Sequence, residues 1–159
     1  MADDRELTHL NEAGEVHMVD VGDKAITDRE AVAEGFVAMS PDLAERFFAG
    51  DLPKGDAAAV ARVAGIMAAK KTGDLIPLCH PIALTGVDVA LEQSGRGIRV
   101  VASVRTTGRT GVEMEAMTAV AVAALTIYDM VKGVERGVTI ETVGLLLKSG
   151  GRSGTWERD

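Results

Sequence analysis

The strongest constraint on the fold is a predicted β-hairpin that lies between two alanine-rich segments. Residues 84–93 and 98–105 each alternate apolar with polar side chains, and a short glycine-containing turn joins them. Residues 57–71, before the hairpin, and residues 110–131, after it, have the composition and end signals of helices. This pattern predicts helices packed against an antiparallel sheet, which is the α+β class.

Signals at helix ends locate a short helix ahead of the first alanine-rich one. Ser40 is suited to an N-cap, Pro41 to the first helical position, and Gly50 to the end of a helix. Asp56 directly precedes the alanine-rich segment, so we expect its side chain to cap that helix.

The second alanine-rich helix has the spacing of a capping box at its start. Thr110 and Glu113 stand three residues apart, so we expect Thr110 to cap a helix that runs to about residue 131. In that interpretation Glu113 has a structural role as the partner of the capping residue.

Residues 27–39 can be interpreted as a helix or as a strand, because their apolar side chains fit both periods. Gly35 weakens a helix, and residues 138–147 favour a final strand. A strand at residues 27–39 gives the order β-α-β-β-α-β, a ferredoxin-like antiparallel sheet with helices packed on one face, and we expect that fold. Residues 16–21 are a further short strand candidate.

Length and composition fit one domain over residues 1–159, with residues 1–15 and 152–159 expected to be flexible. The net charge of −7 does not favour nucleic-acid binding, and no apolar run approaches the roughly 20 residues of a membrane helix. The first residues lack the regions of a signal peptide, and the single cysteine fits a reducing compartment. We therefore expect a cytoplasmic protein.

Two basic segments are candidates for binding an anion, although the first also fits an exposed lysine in a loop and the second a disordered basic tail. Lys54 stands beside a glycine just before a predicted helix, whose first N–H groups attract negative charge. Lys148 and Arg152 flank a glycine-rich bend of the kind that can hold phosphate.

Three further groups of polar residues could carry chemistry. Cys79 and His80 lie in a loop between two prolines. Directly adjacent cysteine and histidine residues do not have the spacing of zinc ligands, so no metal site is expected. Glu115 follows Glu113 by two residues, and in a helix these side chains diverge by about 200°, which suits a subunit boundary or an unwound helix start. The third group is a possible acid–base pair, or a surface ion pair, formed one helical turn apart by Asp129 and Lys132.

Five segments, taken together and in order, resemble the cyclic pyranopterin monophosphate synthase family, the accessory protein C family of molybdenum cofactor biosynthesis. The segments are residues 54–56, 74–81, 111–116, 125–132 and 147–151. The resemblance implies a ferredoxin-like fold, a hexamer built as a trimer of dimers, and a site at the dimer interface. It also implies a lyase that converts a cyclised dihydro-GTP to cyclic pyranopterin monophosphate and diphosphate without a cofactor.

The resemblance also assigns roles to individual residues. The catalytic candidates are Asp129, Lys132 and Lys54. The candidates for substrate binding are Leu78, Cys79, His80, Glu113, Met114, Glu115 and Lys148. Because Lys54 and Asp129 lie on different predicted helices, we expect them to meet across an interface between two subunits.

Two other functions fit the same residues. The lysines could belong to a nucleotide- or pterin-binding module without turnover, although such a module gains nothing from the carboxylate of Asp129. The charges could instead make subunit contacts in a structural assembly protein, which would leave the fixed loop at Cys79 and His80 unexplained.

Overall fold

The computed structural model describes residues 9–159, so the first eight residues of the predicted N-terminal tail lie outside the described part. The elements in chain order are β1 (Thr27–Ala38), α1 (Pro41–Ala49), α2 (Ala57–Lys70), α3 (Thr72–Leu75), β2 (Gly86–Ser94), β3 (Gly97–Gly108), α4 (Glu113–Val131), β4 (Thr139–Ser149) and β5 (Trp156–Glu157).

The strands form one antiparallel sheet in the order β2-β3-β1-β4-β5. With α2 and α4 as its long helices, the chain has the predicted ferredoxin-like order β-α-β-β-α-β, to which α1, α3 and β5 are additions. The predicted fold class is therefore confirmed.

The ambiguous segment is strand β1, at the centre of the sheet. Ala31, Ala33 and Val37 are completely buried on the face that the helices cover, while Glu30 and Glu34 alternate with them on the other face. Gly35 lies on the buried face, where an added Cβ would stand 2.6 Å from Cγ1 of Val120 on α4. A side chain at this position would hold α4 away from the sheet.

Small side chains let α2 and α4 approach each other closely. An added Cβ at Gly65 on α2 would lie 3.0 Å from the carbonyl oxygen of Ala119 and 3.3 Å from Cβ of Ala123, both on α4. Large side chains would not fit at this contact. Contrary to the expectation from the sequence, helix α4 is by length and composition alone sufficient to span a membrane, but more than half of its apolar stretch is buried in this core.

Caps explain where α1 begins and ends and where α2 begins. The Ser40 side chain accepts a hydrogen bond from the backbone N–H of Leu43, and Gly50 ends α1 with a left-handed backbone conformation. The Asp56 side chain accepts from the N–H of Ala59 at the start of α2. These predicted caps are confirmed.

The predicted capping box is wrong. Helix α4 begins at Glu113, and Val112 occupies the capping position without a side-chain hydrogen bond. A capping box needs the carboxylate at the third helical position, whereas Glu113 holds the first. Its carboxylate turns back instead and lies against Gly111.

One other local expectation differs from the structure, and one strand was not expected. Residues 16–21 form no strand, since Val16 makes a single isolated bridge to Leu10. The glycine-rich segment after β4 turns back into β5, which adds a fifth strand to the sheet. The flexibility expected for residues 152–159 stays a prediction.

Candidate functional site

The candidate site residues fall into two groups at opposite ends of α4. Glu113, Met114 and Glu115 stand at its first turn, and Asp129 stands in its last turn. With a rise of about 1.5 Å per residue, Glu115 and Asp129 are about 21 Å apart along the helix axis. One chain therefore does not bring all the predicted residues into direct contact.

Lys54, Asp129 and Lys132 form the first group, here called the lysine–aspartate cluster. Nζ of Lys132 lies 2.7 Å from Oδ1 of Asp129, and Nζ of Lys54 lies 2.9 Å from Oδ2. Lys54 also donates to the Asp129 carbonyl oxygen at 2.7 Å. All three side chains are about half exposed.

The cluster corrects one expectation from the sequence. Lys54 and Asp129 were predicted to meet across a subunit interface, but the loop before α2 brings Lys54 directly to the end of α4 in the same chain. The reason is the close α2–α4 packing, which places the start of one helix beside the end of the other.

Electrostatics within the cluster favour the charged forms of Asp129 and Lys132. Hydrogen bonds from Lys132 and then Lys54 lower the pKa of Asp129 to about 2, and the bond to Asp129 raises the pKa of Lys132. At neutral pH the free cluster thus carries two positive charges and one negative charge. A carboxylate of such low pKa is a weak proton acceptor until the lysines engage another anion.

The second group lines a cavity of about 410 Å³, here called the Cys-His pocket. Six of the predicted site residues line it: Leu78, Cys79, His80, Glu113, Met114 and Glu115. The segment before β1 covers one side of the cavity with His9, Val19 and Lys24. Nε2 of His80 lies 2.7 Å from the Val19 carbonyl oxygen, which joins that segment to the proline-bounded loop.

Glu115 is the buried acid of the Cys-His pocket, with 3% of its surface exposed. Burial, with a smaller contribution from the charge of Glu113, raises its pKa to about 7. Burial and the Glu115 charge also raise the pKa of the Cys79 thiol. Glu113 and Glu115 line one cavity despite their divergence, because Glu113 turns back over the helix start. The pocket can therefore donate protons near neutral pH.

A smaller cavity of about 220 Å³, here called the cationic pocket, adjoins the Cys-His pocket through Lys24, Thr110, Gly111 and Glu113. Four basic residues line it, namely Lys24, Arg29, Arg109 and Lys148, together with the carboxylates of Glu30 and Glu113. Lys148 is the only one of these basic residues that was predicted as a site residue. The excess of positive charge suits a phosphate chain.

Two arginines missed in the sequence organise the cationic pocket through backbone carbonyls. Arg29 donates from Nε to Gly108 at 3.0 Å and from Nη2 to the carbonyl oxygen of Arg109 at 3.1 Å. Arg109 donates to the carbonyl oxygens of Gly22 and Lys24. Arg29 had a signal in the sequence, because the alternation of β1 places it on the same face as the buried Ala31. Nothing comparable marked Arg109.

Comparison with known proteins gives a consistent set of relatives. Residues 18–151 match the profile described as the MoaC family. A Mycobacterium tuberculosis protein named cyclic pyranopterin monophosphate synthase 2 is 58% identical over 153 residues, covering 96% of this chain and 92% of its own. Proteins named cyclic pyranopterin monophosphate synthase from Corynebacterium efficiens and a Roseiflexus species are each 57% identical, over 151 and 156 residues. These alignments cover 95% and 97% of this chain, and 97% and 99% of the relatives.

Proposed function

This chain belongs to the MoaC family, and on that premise we propose that it is a cyclic pyranopterin monophosphate synthase of molybdenum cofactor biosynthesis. Its substrate is (8S)-3',8-cyclo-7,8-dihydroguanosine 5'-triphosphate, and its products are cyclic pyranopterin monophosphate and diphosphate. The observation that carries the proposal is the arrangement of two adjoining pockets. One contains the buried carboxyl group of Glu115, whose pKa is near neutral, and the other is lined by four basic residues.

The cationic pocket suits the triphosphate of that substrate. Lys24 and Lys148 offer charged amines, while Arg29 and Arg109 hold the surrounding backbone and add positive charge. An acidic protein repels a polyanion at long range, so binding depends on such a local group of cations. The purine-derived ring then occupies the adjoining Cys-His pocket.

The proton-transfer steps suit the acids of the two groups. Opening the purine-derived ring with water and closing it as a pterin requires positioned acids and bases. Glu115 holds a proton near neutral pH and can donate it, whereas Asp129 accepts a proton once the lysines turn to substrate oxygens. Both groups are therefore assigned to the chemistry rather than to binding alone.

The phosphate step needs positive charge at the leaving group. A substrate hydroxyl gives its proton to Asp129 and attacks the α-phosphorus, and the bond to the departing diphosphate breaks. Negative charge on the diphosphate grows as that bond lengthens, and lysine amines offset it. Lys54 and Lys132 supply two such amines.

We infer that a second subunit joins the two groups into one site. In one chain the lysine–aspartate cluster faces solvent about 21 Å from Glu115 along α4, too far to act on an atom held in the Cys-His pocket. Exposed apolar side chains on the long helices, at Val60, Val63 and Leu125, support burial by further subunits. A hexamer made of three dimers accommodates both the separation of the two groups and the exposed apolar side chains. A cytoplasmic location fits the free thiol of Cys79.

The decisive experiment is turnover of the purified protein with the cyclised triphosphate. We expect diphosphate and the pterin to appear in equal amounts, detected by a phosphate-release assay after pyrophosphatase and by pterin fluorescence. Saturable binding of the triphosphate without diphosphate release would identify a binding module instead. If the protein neither binds nor converts the triphosphate, the result would favour a structural assembly protein.

A further inference from the structure

The glycine-rich segment that follows β4 is held at both ends, although its composition resembles that of a flexible tail. Residues 150–154 leave the sheet and return to it as β5, where Trp156 pairs with Lys148 and Glu157 pairs with Leu147. The N–H of Arg158 donates to the carbonyl oxygen of Leu146 at 2.8 Å and extends this pairing. The segment is thus the loop of a hairpin, here called the β4–β5 loop.

The β4–β5 loop lies against the cationic pocket and its neighbour. Ser153 lines both the cationic pocket and an adjoining cavity of about 480 Å³, which Arg152 also lines. The Nζ atom of Lys148 donates to Oγ of Ser153, so the loop holds the lysine that leads into it. Position and charge therefore connect this loop to the anion-binding part of the site.

Glycines let the loop pack against β1. Gly150, Gly151 and Gly154 all have positive φ angles, of 92°, 72° and 63°. An added Cβ at Gly150 would stand 3.2 Å from Cα of Arg29, and one at Gly151 would overlap the Arg29 guanidinium. The loop thus follows the surface of an arginine that lines the same pocket.

We propose that β5 is a positioning element for phosphate binding, with the backbone of Arg158 as its anchor and the β4–β5 loop as the part it holds. Phosphate chains bind more tightly to a loop that is already ordered, because less conformational freedom is lost on binding. Pairing with β4 supplies that order before the ligand arrives. This inference rests on the proposed function, since it concerns the triphosphate end of the same site.

Trp156 makes the proposal directly measurable, because it is the single tryptophan of the chain. Directly opposed residues in an antiparallel pair have Cβ atoms about 5 Å apart on one face, so the indole stands beside the side chain of Lys148. Inorganic tripolyphosphate, used as the probe, should change Trp156 emission saturably. An emission spectrum that stays constant while calorimetry shows tripolyphosphate binding would overturn the proposal.

Two variants separate the strand pairing from the side chain. R158P removes the N–H that donates to Leu146, whereas R158A keeps that N–H and removes only the guanidinium. We expect R158P to weaken tripolyphosphate binding about fivefold and to raise the substrate KM similarly, with kcat within about twofold of wild type. R158A should bind within about twofold of wild type.

Several outcomes would contradict the proposal. Equal binding by R158P and wild type would show that β5 only covers the sheet edge, and equal weakening by R158A and R158P would assign the effect to charge. If R158P does not fold, G154A strains the positive φ of the loop and should weaken binding in the same direction. If the wild-type protein binds tripolyphosphate but does not convert the substrate, the result would contradict the proposed function and leave the role of β5 intact.

Discussion

Asp129 is the centre of the lysine–aspartate cluster, and its first effect is on its two neighbours. Each carboxylate oxygen holds one lysine amine within 2.9 Å, which keeps Lys54 and Lys132 oriented toward one point. The low pKa of Asp129 follows from the same contacts. A ligand anion that draws the lysines away would raise the basicity of the carboxylate, as the proposed proton transfer to Asp129 requires.

The substitution D129N tests that role. The amide keeps the shape of the side chain but cannot accept a proton, so we expect turnover to fall by at least about a hundredfold. The Asp129 side chain is half exposed and is not part of the hydrophobic core, so thermal unfolding and sedimentation should match the wild type. Near-normal turnover in a correctly assembled D129N protein would exclude Asp129 from the chemistry.

Glu115 gives the free protein a distinctive dependence of stability on pH. Its folded pKa of about 7 exceeds the ordinary value of 4.5, so the folded state binds more protons between these two values. The Glu115 contribution to the free energy of unfolding is therefore largest below pH 4.5 and is lost as the pH rises through about 7.

The substitution E115Q should remove this dependence. Relative to wild type, we expect E115Q to gain stability as the pH rises from 5 to 8, by roughly 3 kcal/mol at most. Urea unfolding of both proteins across this range measures the difference. A difference that stays constant with pH would show that the carboxyl already ionises at its ordinary pKa in the folded protein.

Individual site residues were predictable where a short motif marked them. The Cys79–His80 and Glu113–Glu115 segments stand out from their surroundings, and all of their residues line one pocket. Their predicted role in substrate binding stays a prediction. Arg109 could not be found in this way, because its role depends on the carbonyl oxygens of Gly22 and Lys24, more than eighty residues earlier. Contacts at such separations leave no local pattern.

The long helices and strands were predictable because periodicity and end signals agree. Residues 27–39 needed the order of the surrounding elements, since their own pattern fits two periods, and that order correctly favoured β1. The error at the capping box has a local cause. The helix begins at Glu113 itself, and the carboxylate of Glu113 turns back toward Gly111. β5 went unpredicted, since two residues carry no period of their own.

Close packing between α4 and β1 depends on the absence of a side chain at Gly35. In G35A, the new Cβ would stand 2.6 Å from Val120 and 2.9 Å from the Thr142 carbonyl oxygen, and the backbone of β4 cannot move independently. We expect a loss of about 1–3 kcal/mol in the free energy of unfolding, measured by urea denaturation at fixed protein concentration.

A matched control for G35A is G133A. An added Cβ at Gly133 meets no atom within 4 Å, and its φ angle is not positive. We expect its stability to stay within about 0.5 kcal/mol of wild type. Equal stability of G35A and wild type would mean that α4 can shift away from the sheet without cost.

At the scale of the whole molecule, a site shared between subunits predicts which inactive variants restore each other. K54A removes a group from the lysine–aspartate cluster, and K148A removes one from the cationic pocket at the other end of α4. Mixed two-fold dimers contain one site in which both lysines are intact. We therefore expect roughly a quarter of the sites to recover after the two proteins are dissociated and reassembled together.

The control mixture combines K54A with D129N. These residues contact each other within one chain, so every mixed site lacks one of them and no activity should return. Recovery in the control mixture, or none in the K54A and K148A mixture, would contradict a site built from the two ends of different chains. Steady-state turnover after reassembly at equal concentrations measures both.

Helix α4 also fixes the rotation and the distance between Glu115 and Asp129, and point substitutions do not alter either. Its nineteen residues connect an acid of one group to an acid of the other, and each residue turns the helix by about 100°. Deleting one residue between Glu115 and Asp129 would rotate one group by that angle and shorten their separation by about 1.5 Å. In the proposed shared site, neighbouring subunits would then present the two groups out of alignment at every site at once. The spacing between these acids can therefore tolerate changes of residue type far better than changes of length.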